Sequence, residues 1–248
     1  MAERDPHPAE SLTPERFLEI ADHTLLAPGT TPAELEAFLD NAVRLGVKRV
    51  CVSLSLLPVD ARGLEIVAVV GFPSGSHTPA VQAFEAARAV RDGVGEIDMV
   101  VDRGLVRAGD WAGVERLIGA VREAAPASSG SMHGGTVLKV IIESAALLDE
   151  QIVGCCRAAE AAGADYVKTS TGFDPAGGAS EHAVRLMAET VGGRLGVKAS
   201  GGIRSAADVR ALWEAGATRF GVSATAAILA SWGDPASEPG VERGYSVF

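Results

Sequence analysis

Three of the four lysines in this chain stand inside short apolar runs. Lys139 opens Lys139-Val-Ile-Ile142, Lys168 ends Tyr166-Val-Lys168 and Lys198 ends Gly196-Val-Lys198. Burying an amine is costly unless it is paired, yet an amine can lose its proton near neutrality and a guanidinium cannot. A neutral lysine adds to an aldehyde to form a Schiff base, whose cationic nitrogen is an electron sink for breaking a carbon–carbon bond. Apolar surroundings or a neighbouring cation favour the loss of that proton. Lys168 and Lys198 can each perturb the other, and one of them must yield its proton. Carboxylates accompany them. Glu96 and Asp98 alternate in Glu96-Ile-Asp-Met-Val100 and so share one face of a strand. Asp98 is suited to stabilise the remaining ammonium and to shuttle protons. Asp22, Cys51, Glu143 and the run Lys168-Thr-Ser-Thr171 add further polar groups near strand ends. The competing reading is a buried network in which these charges only neutralise one another. Convergence of five strands on one end favours chemistry. The eighteen arginines read as ordinary positive surface charge.

The elements that must hold these residues follow a repeating pattern. Helix-like segments end at a glycine, and an apolar run follows at once, as in Gly46-Val-Lys-Arg-Val-Cys-Val52 and Gly163-Ala-Asp-Tyr-Val-Lys-Thr169. Glycine just past a helix supplies the left-handed residue without a Cβ penalty, and short runs apolar on both faces suit buried parallel strands. Thr31-Pro-Ala-Glu34, Thr78-Pro79 and Ser205-Ala-Ala-Asp208 read as helix starts. Eight strands are expected near residues 19–24, 48–53, 65–71, 96–101, 136–142, 164–169, 195–199 and 218–222. That alternation predicts an α/β fold, a single (β/α)8 TIM barrel over 1–248 with a short N-terminal helix. Residues 1–12 and 233–248 are expected to be loose tails, and Pro126–Gly135 a flexible loop. The rival, an open doubly wound sheet, lacks a G-x-G-x-x-G after its first strand.

Chemistry in such a barrel sits at the C-terminal ends of the strands, often with a phosphate site after strands seven and eight. Gly201-Gly-Ile-Arg-Ser205 and Gly221-Val-Ser-Ala224 follow those strands, and each is expected to open a helix. Backbone N–H groups at a helix start bind phosphate. Gly201, Gly202 and Ser223 are therefore candidate phosphate ligands, with Gly172 adding a donor and Thr171 lining the pocket.

Composition excludes several classes. A net charge of −10 with no basic run argues against a nucleic-acid partner. No apolar run approaches the ~18 residues of a membrane helix, and the polar stretch Met1–Glu10 is unlike a secretory signal. Three cysteines, with Cys155 and Cys156 adjacent, cannot build a disulfide framework. The chain reads as cytoplasmic. His7, His23, His77, His133 and His182 lack metal-ligand spacing, so neither metal nor cofactor is expected. His23 reads as a hydrogen-bonding residue at a strand end, and Cys155 and Cys156 as small packing residues. Arg204 touches phosphate or stands exposed at a helix start. Tyr245 and Phe248 fold over the barrel mouth or hang free.

Six motifs together resemble the deoxyribose-phosphate aldolase family. They are Asp22-His-Thr-Leu-Leu26, Val70-Gly-Phe-Pro73, Glu96-Ile-Asp-Met-Val100, Leu138-Lys-Val-Ile-Ile-Glu143, Val167-Lys-Thr-Ser-Thr-Gly172 and Lys198-Ala-Ser-Gly-Gly-Ile-Arg204. The resemblance implies a class I, metal-free (β/α)8 aldolase that reversibly cleaves 2-deoxy-D-ribose 5-phosphate to D-glyceraldehyde 3-phosphate and acetaldehyde. It implies Lys168 as the Schiff-base lysine, Lys198 as the lysine that perturbs it and Asp98 as the proton relay. Asp22, Cys51 and Lys139 then line the pocket, and Gly201, Gly202 and Ser223 belong to phosphate-contacting loops. The partners are a small phosphosugar and aldehydes, with a homodimer allowed. The chain departs from the family's usual pattern at Ser53-Leu54, Asp102 and Thr225, and carries a longer loop at Phe173–Gly178. From the residues alone, two other readings stay open. One is a phosphosugar isomerase barrel without a covalent intermediate, and the other is a phosphosugar-binding barrel without catalysis.

Overall fold

In the computed structural model, which describes residues 12–127 and 135–233, strand and helix alternate eight times around a closed barrel. The strands are β1 (Ala21–Leu25), β2 (Arg49–Ser53), β3 (Glu65–Val70), β4 (Glu96–Val100), β5 (Val137–Ile141), β6 (Tyr166–Lys168), β7 (Gly196–Ser200) and β8 (Arg219–Val222). Each pairs in parallel with the next, and β8 pairs with β1. Among the described residues the helices are α1 (Pro14–Ile20), α2 (Pro32–Leu45), α3 (Pro79–Arg91), α4 (Arg103–Ala108), α5 (Trp111–Ala124), α6 (Asp149–Ala161), α7 (Glu181–Val191), α8 (Ala206–Glu214) and α9 (Thr225–Ala230).

The local signals explain most of these boundaries. The Thr31 side chain accepts from the Glu34 N–H, and the Glu34 carboxylate accepts from the Thr31 N–H at 2.7 Å, which closes the capping box of α2. Gly46 ends that helix at φ +76°. Ser205 and Asp208 form the same box on α8. Thr78 precedes Pro79 at the start of α3, but its hydroxyl makes no capping bond. Two expectations need correction. The first strand begins at Ala21, because Thr13 caps a helix through the Arg16 N–H and Pro14 starts it, so α1 claims residues to Ile20. Gly201 and Gly202 do not open α8 directly: both have positive φ, and Ser205 is the N-cap.

Two apolar layers result. The outward-facing side chains of the strands, such as Val50, Ala68, Ile97, Val140, Val167 and Phe220, pack under the buried faces of the helices as one continuous core. Leu12 and Trp232, near the two ends of the described chain, also pack on that core. The inward faces are different. Cys51, Val67 and Val69 form a small separate apolar cluster with Leu26 and Phe72 against it. Otherwise the barrel interior, usually filled by branched aliphatic residues, holds buried Asp22, Glu96, Asp98, Lys139, Lys168, Lys198 and Arg219. The expected tails, apart from Leu12 and Gly233, lie outside the described residues, as do His7, His133, Tyr245, Phe248 and most of the Pro126–Gly135 loop.

Glycine is required by close approach where the loop after β3 crosses the end of β4. Gly75 has φ +70°, and a Cβ there would stand 2.0 Å from the Val101 carbonyl oxygen. Gly46 has a similar φ with open space around it. Gly46→Ala should therefore cost only the left-handed strain, about 1–2 kcal/mol. Gly75→Ala should add overpacking and cost about 3 kcal/mol or more. Urea unfolding of the two variants measures the difference. Equal losses would mean that the approach to Val101 is not what demands glycine at residue 75.

Candidate active site

Strand register brings the charged residues together inside the barrel. Lys168 ends β6 and stands beside Lys198 of β7, Lys198 stands beside Arg219 of β8, and Asp98 of β4 stands beside Lys139 of β5. Asp98 is at the centre. Its Oδ1 accepts from Lys139 Nζ at 2.9 Å, and its Oδ2 accepts from Lys168 Nζ at 2.7 Å and Lys198 Nζ at 2.6 Å. Lys198 also donates to Asp22, and Lys139 is paired with Glu96. Arg219 Nη1 reaches Asp22 Oδ1 at 2.9 Å and Glu96 at 3.1 Å. Lys139, Lys198 and Arg219 thus each bridge at least two carboxylates, whereas among the described residues Lys168 is paired with Asp98 alone. Lys168 is also the one of the three lysines with any exposed side chain, 4% against none for Lys139 and Lys198.

These contacts decide where protons sit. Burial lowers the proton affinity of Lys168 and the Lys198 charge adds to that. The pull of Asp98 in the other direction does not compensate, so Lys168 falls below the ordinary lysine range. Burial works the same way on Lys198, but Asp22 and Asp98 overcome it and raise its pKa. Lys139 is raised as well: burial opposes its charge, and Asp98, Asp22 and Glu96 prevail. Burial would raise the carboxyls of Asp98 and Asp22, yet the surrounding lysines, joined at Asp22 by Arg219, hold both down as carboxylates. The interior therefore contains one amine poised to lose its proton and two held as ammonium ions.

Around this cluster the loops are tightly constrained. Glu143, buried after β5 with φ +59°, accepts from the Thr171 N–H at 3.1 Å and from the Thr171 hydroxyl at 2.6 Å. The Thr171 hydroxyl oxygen in turn accepts from the Phe173 N–H at 3.1 Å. The loops after β6 and β7 meet glycine on glycine. A Cβ on Gly178 would stand 2.2 Å from the Gly201 carbonyl oxygen, and one on Gly201 would stand 2.9 Å from the Gly178 Cα. Gly221 leaves room for Lys198, whose Cε lies 3.2 Å from where a Cβ would be. Burial and the Asp98 charge push the Cys51 thiol up to about 11, so it is an unreactive neighbour of the lysines.

The residues expected from sequence divide into two groups. Lys168, Lys198, Asp98, Asp22, Lys139 and Cys51 meet in the interior, where Asp22, Asp98, Lys139 and Lys198 have no exposed surface. Thr171, Gly172, Gly201, Gly202 and Ser223 lie on the loops at the C-terminal ends of β6, β7 and β8, where Gly172, Gly202 and Ser223 are exposed. His23 is buried, with Nδ1 2.8 Å from the Thr225 hydroxyl, and burial lowers it to about 4, so it is neutral. Cys155 and Cys156 are fully buried in α6, and Arg204 is exposed just ahead of α8. Among the described residues no group of His, Cys, Asp and Glu is arranged to hold a metal ion. Sequence reasoning missed Arg219, counted as surface charge but 7% exposed and locked into the network. Its alternation with Gly221 in Arg219-Phe-Gly-Val222 is the signal that could have revealed it.

Comparison with known proteins agrees with this geometry. The profile of the DeoC/LacD family aldolases matches residues 19–231. A deoxyribose-phosphate aldolase of Nocardia farcinica is 58% identical over 224 residues, which is 89% of this chain and 97% of that protein. One of Corynebacterium diphtheriae is 54% identical over 217 residues, covering 87% of this chain and 96% of that protein. Among solved structures, the tetrameric deoxyribose phosphate aldolase of Aeropyrum pernix superposes with a TM-score of 0.78 at 28% identity, over 90% of this chain and 93% of that one. With a profile match across nearly the whole barrel and relatives this similar over most of their length, the chain belongs to the DeoC/LacD aldolase family.

Proposed function

We propose that this chain is a class I aldolase that reversibly cleaves 2-deoxy-D-ribose 5-phosphate to D-glyceraldehyde 3-phosphate and acetaldehyde, with Lys168 as the Schiff-base lysine. The observation that carries the assignment of Lys168 is its electrostatic isolation: it has one carboxylate partner and a lowered proton affinity, while Lys139 and Lys198 are held charged. A phosphosugar isomerase needs no such amine, and a binding barrel gains nothing from a lysine that tends to lose its charge.

In the cleavage direction the phosphate docks against Gly172, Gly201, Gly202 and Ser223. The neutral Lys168 amine attacks the C1 aldehyde and forms a carbinolamine. Its hydroxyl leaves as water, with a proton supplied from Lys198 through Asp98, and the iminium remains on Lys168. Lys198, now neutral, takes up the C3 hydroxyl proton through Asp98, the C2–C3 bond breaks, and its electron pair is received by the iminium as an enamine. Glyceraldehyde 3-phosphate departs, the relay returns its proton to the enamine carbon, and addition of water to the iminium frees acetaldehyde and the amine. Asp98 fits the relay because one of its oxygens touches both amines. Asp22 keeps Lys198 charged and oriented between those transfers. Lys139 balances Asp98 from the other side, and Cys51 and Thr171 complete the pocket wall. The reading places the enzyme in the cytoplasm. Its support is that all three cysteines are buried free thiols and that, among the described residues, no helix is long and apolar enough to cross a membrane.

Borohydride reduction in the presence of acetaldehyde tests the covalent step. One ethyl group should appear on Lys168 by peptide mass mapping, and Lys168→Arg should lose cleavage activity by roughly 10³-fold or more. Recovery of the protein without a mass change, or with the adduct on Lys198, would sink the assignment.

The pH dependence tests the electrostatics. Lys168 acts as the free amine, so kcat/KM rises with pH through its pKa, and the lowered pKa moves that rise below the ordinary lysine range. Lys198→Met removes the cation that helps lower Lys168 and should move the rise to higher pH by about 1–3 units. Lys198→Arg keeps the charge and should leave the rise in place while lowering kcat through the lost proton transfer. An unmoved profile in Lys198→Met would show that Lys198 does not set the Lys168 proton affinity.

A further inference from the structure

The end of the barrel opposite the lysine pocket holds a cavity that the proposed reaction does not use. Arg49, Tyr166 and Arg219 are the first residues of β2, β6 and β8, Lys48 precedes β2, and Arg16 and Glu19 belong to α1; together they line about 520 Å³. That size suits a small organic molecule. Its lining carries four cations and one carboxylate in a chain of net charge −10. The carboxylate, Glu19, is held by Arg16 Nη1 at 2.8 Å. Arg49 is occupied by Glu65 at 2.9 Å, Glu96 at 3.1 Å and the Glu19 carbonyl at 2.6 Å.

Other donors at this end are uncommitted. Arg219 is 7% exposed, and its Nη1 carries every hydrogen bond that it makes among the described residues, to Asp22 and Glu96. Among the described residues its Nε and Nη2 have no acceptor. The guanidinium lies over the Tyr166 ring, 5.3 Å from its centroid. Among the described residues the Tyr166 hydroxyl and the Lys48 ammonium have no hydrogen-bond or ion-pair partner. The three arginines of the lining already face carboxylates, so the pull on an anion comes from Lys48 and the unused guanidinium edge of Arg219, a donor set that phosphate oxygens take.

We propose that this cavity is a second anion site, which takes the phosphate group of a small organic phosphate through Arg219, Lys48 and the Tyr166 hydroxyl. It stands on its own lining residues, whether or not Lys168 forms the Schiff base. Through Arg219 Nη1 it adjoins Asp22, the partner of Lys198, so the two ends of the barrel share one ion network.

Calorimetric titration of the full-length protein with inorganic phosphate tests the site. The wild type should bind at two independent sites. Lys48→Glu, an exposed change away from the lysine pocket, should weaken one of them by about tenfold or more and leave deoxyribose 5-phosphate cleavage unchanged. Ser223→Glu should remove the other. Phosphate binding by Lys48→Glu with the stoichiometry and affinity of the wild type would overturn the proposal, as would a single class of site abolished by Ser223→Glu.

Discussion

Enclosed charge has to be nearly balanced, and the interior of this barrel is one cation away from balance. Among the described residues the enclosed part of the network holds the carboxylates Asp22, Glu96 and Asp98 and the cations Lys139, Lys168, Lys198 and Arg219, while Arg49 joins it at Glu96 from the rim and is offset there by Glu65. Each enclosed ion has given up several kcal/mol of hydration, which only a well-placed opposite charge returns. With every amine protonated, four cations face three carboxylates. Loss of one proton makes the set neutral. Lys139, Lys198 and Arg219 share the carboxylates among themselves, so the proton that is easiest to remove belongs to Lys168, the member with a single partner. The reactivity of one amine is thus a consequence of counting charges in a closed volume.

The fold provides that volume and fixes who meets whom. Inward and outward positions alternate along each strand, so the parallel register decides which inward side chains stand side by side. Small residues make space for the long ones. Gly221 lies against Lys198 Cε, and Gly196 lies against the Tyr166 ring, where a Cβ would approach to 2.2 Å. The outer apolar layer, continuous around the sheet, supplies the stability that the charged interior does not. Glu143 contributes from a left-handed backbone, and its hydrogen bonds to Thr171 hold the loop that begins where β6 ends.

Much of this was legible in the sequence because local signals and tertiary demands agree. Thr31 and Ser205 cap the helices that their boxes foretell, and Gly46 ends α2 as a glycine after a helix should. The lysines stood out because a charge inside a short apolar run has no local explanation. Arg219 and Arg49 have the same setting at strand starts, but in a chain with eighteen arginines they pass for surface charge. Composition says how often a residue type is used and nothing about which copy is enclosed. The boundary between α1 and β1 was misplaced because Glu19 and Ile20 fit either element in isolation. Thr13 and Pro14, together with burial of Phe17 and Ile20, decide for the helix. Pairing across the barrel, such as Asp98 with three lysines from three strands, has no local signature.

The network also has a direction. Arg219 and Glu96 are the first residues of β8 and β4, Lys139 and Lys198 occupy the middle of β5 and β7, and Lys168 is the last residue of β6. Charge is therefore tied down at the N-terminal end and loosest at the C-terminal end, where loops of a parallel barrel admit ligands. Strand parity makes this placement strict. One residue earlier, at Val167, the side chain belongs to the outer apolar core. Two residues earlier, at Tyr166, it lines the cavity at the opposite end. A lysine at 168 is inward, high and singly paired, and neither neighbouring position combines these three conditions.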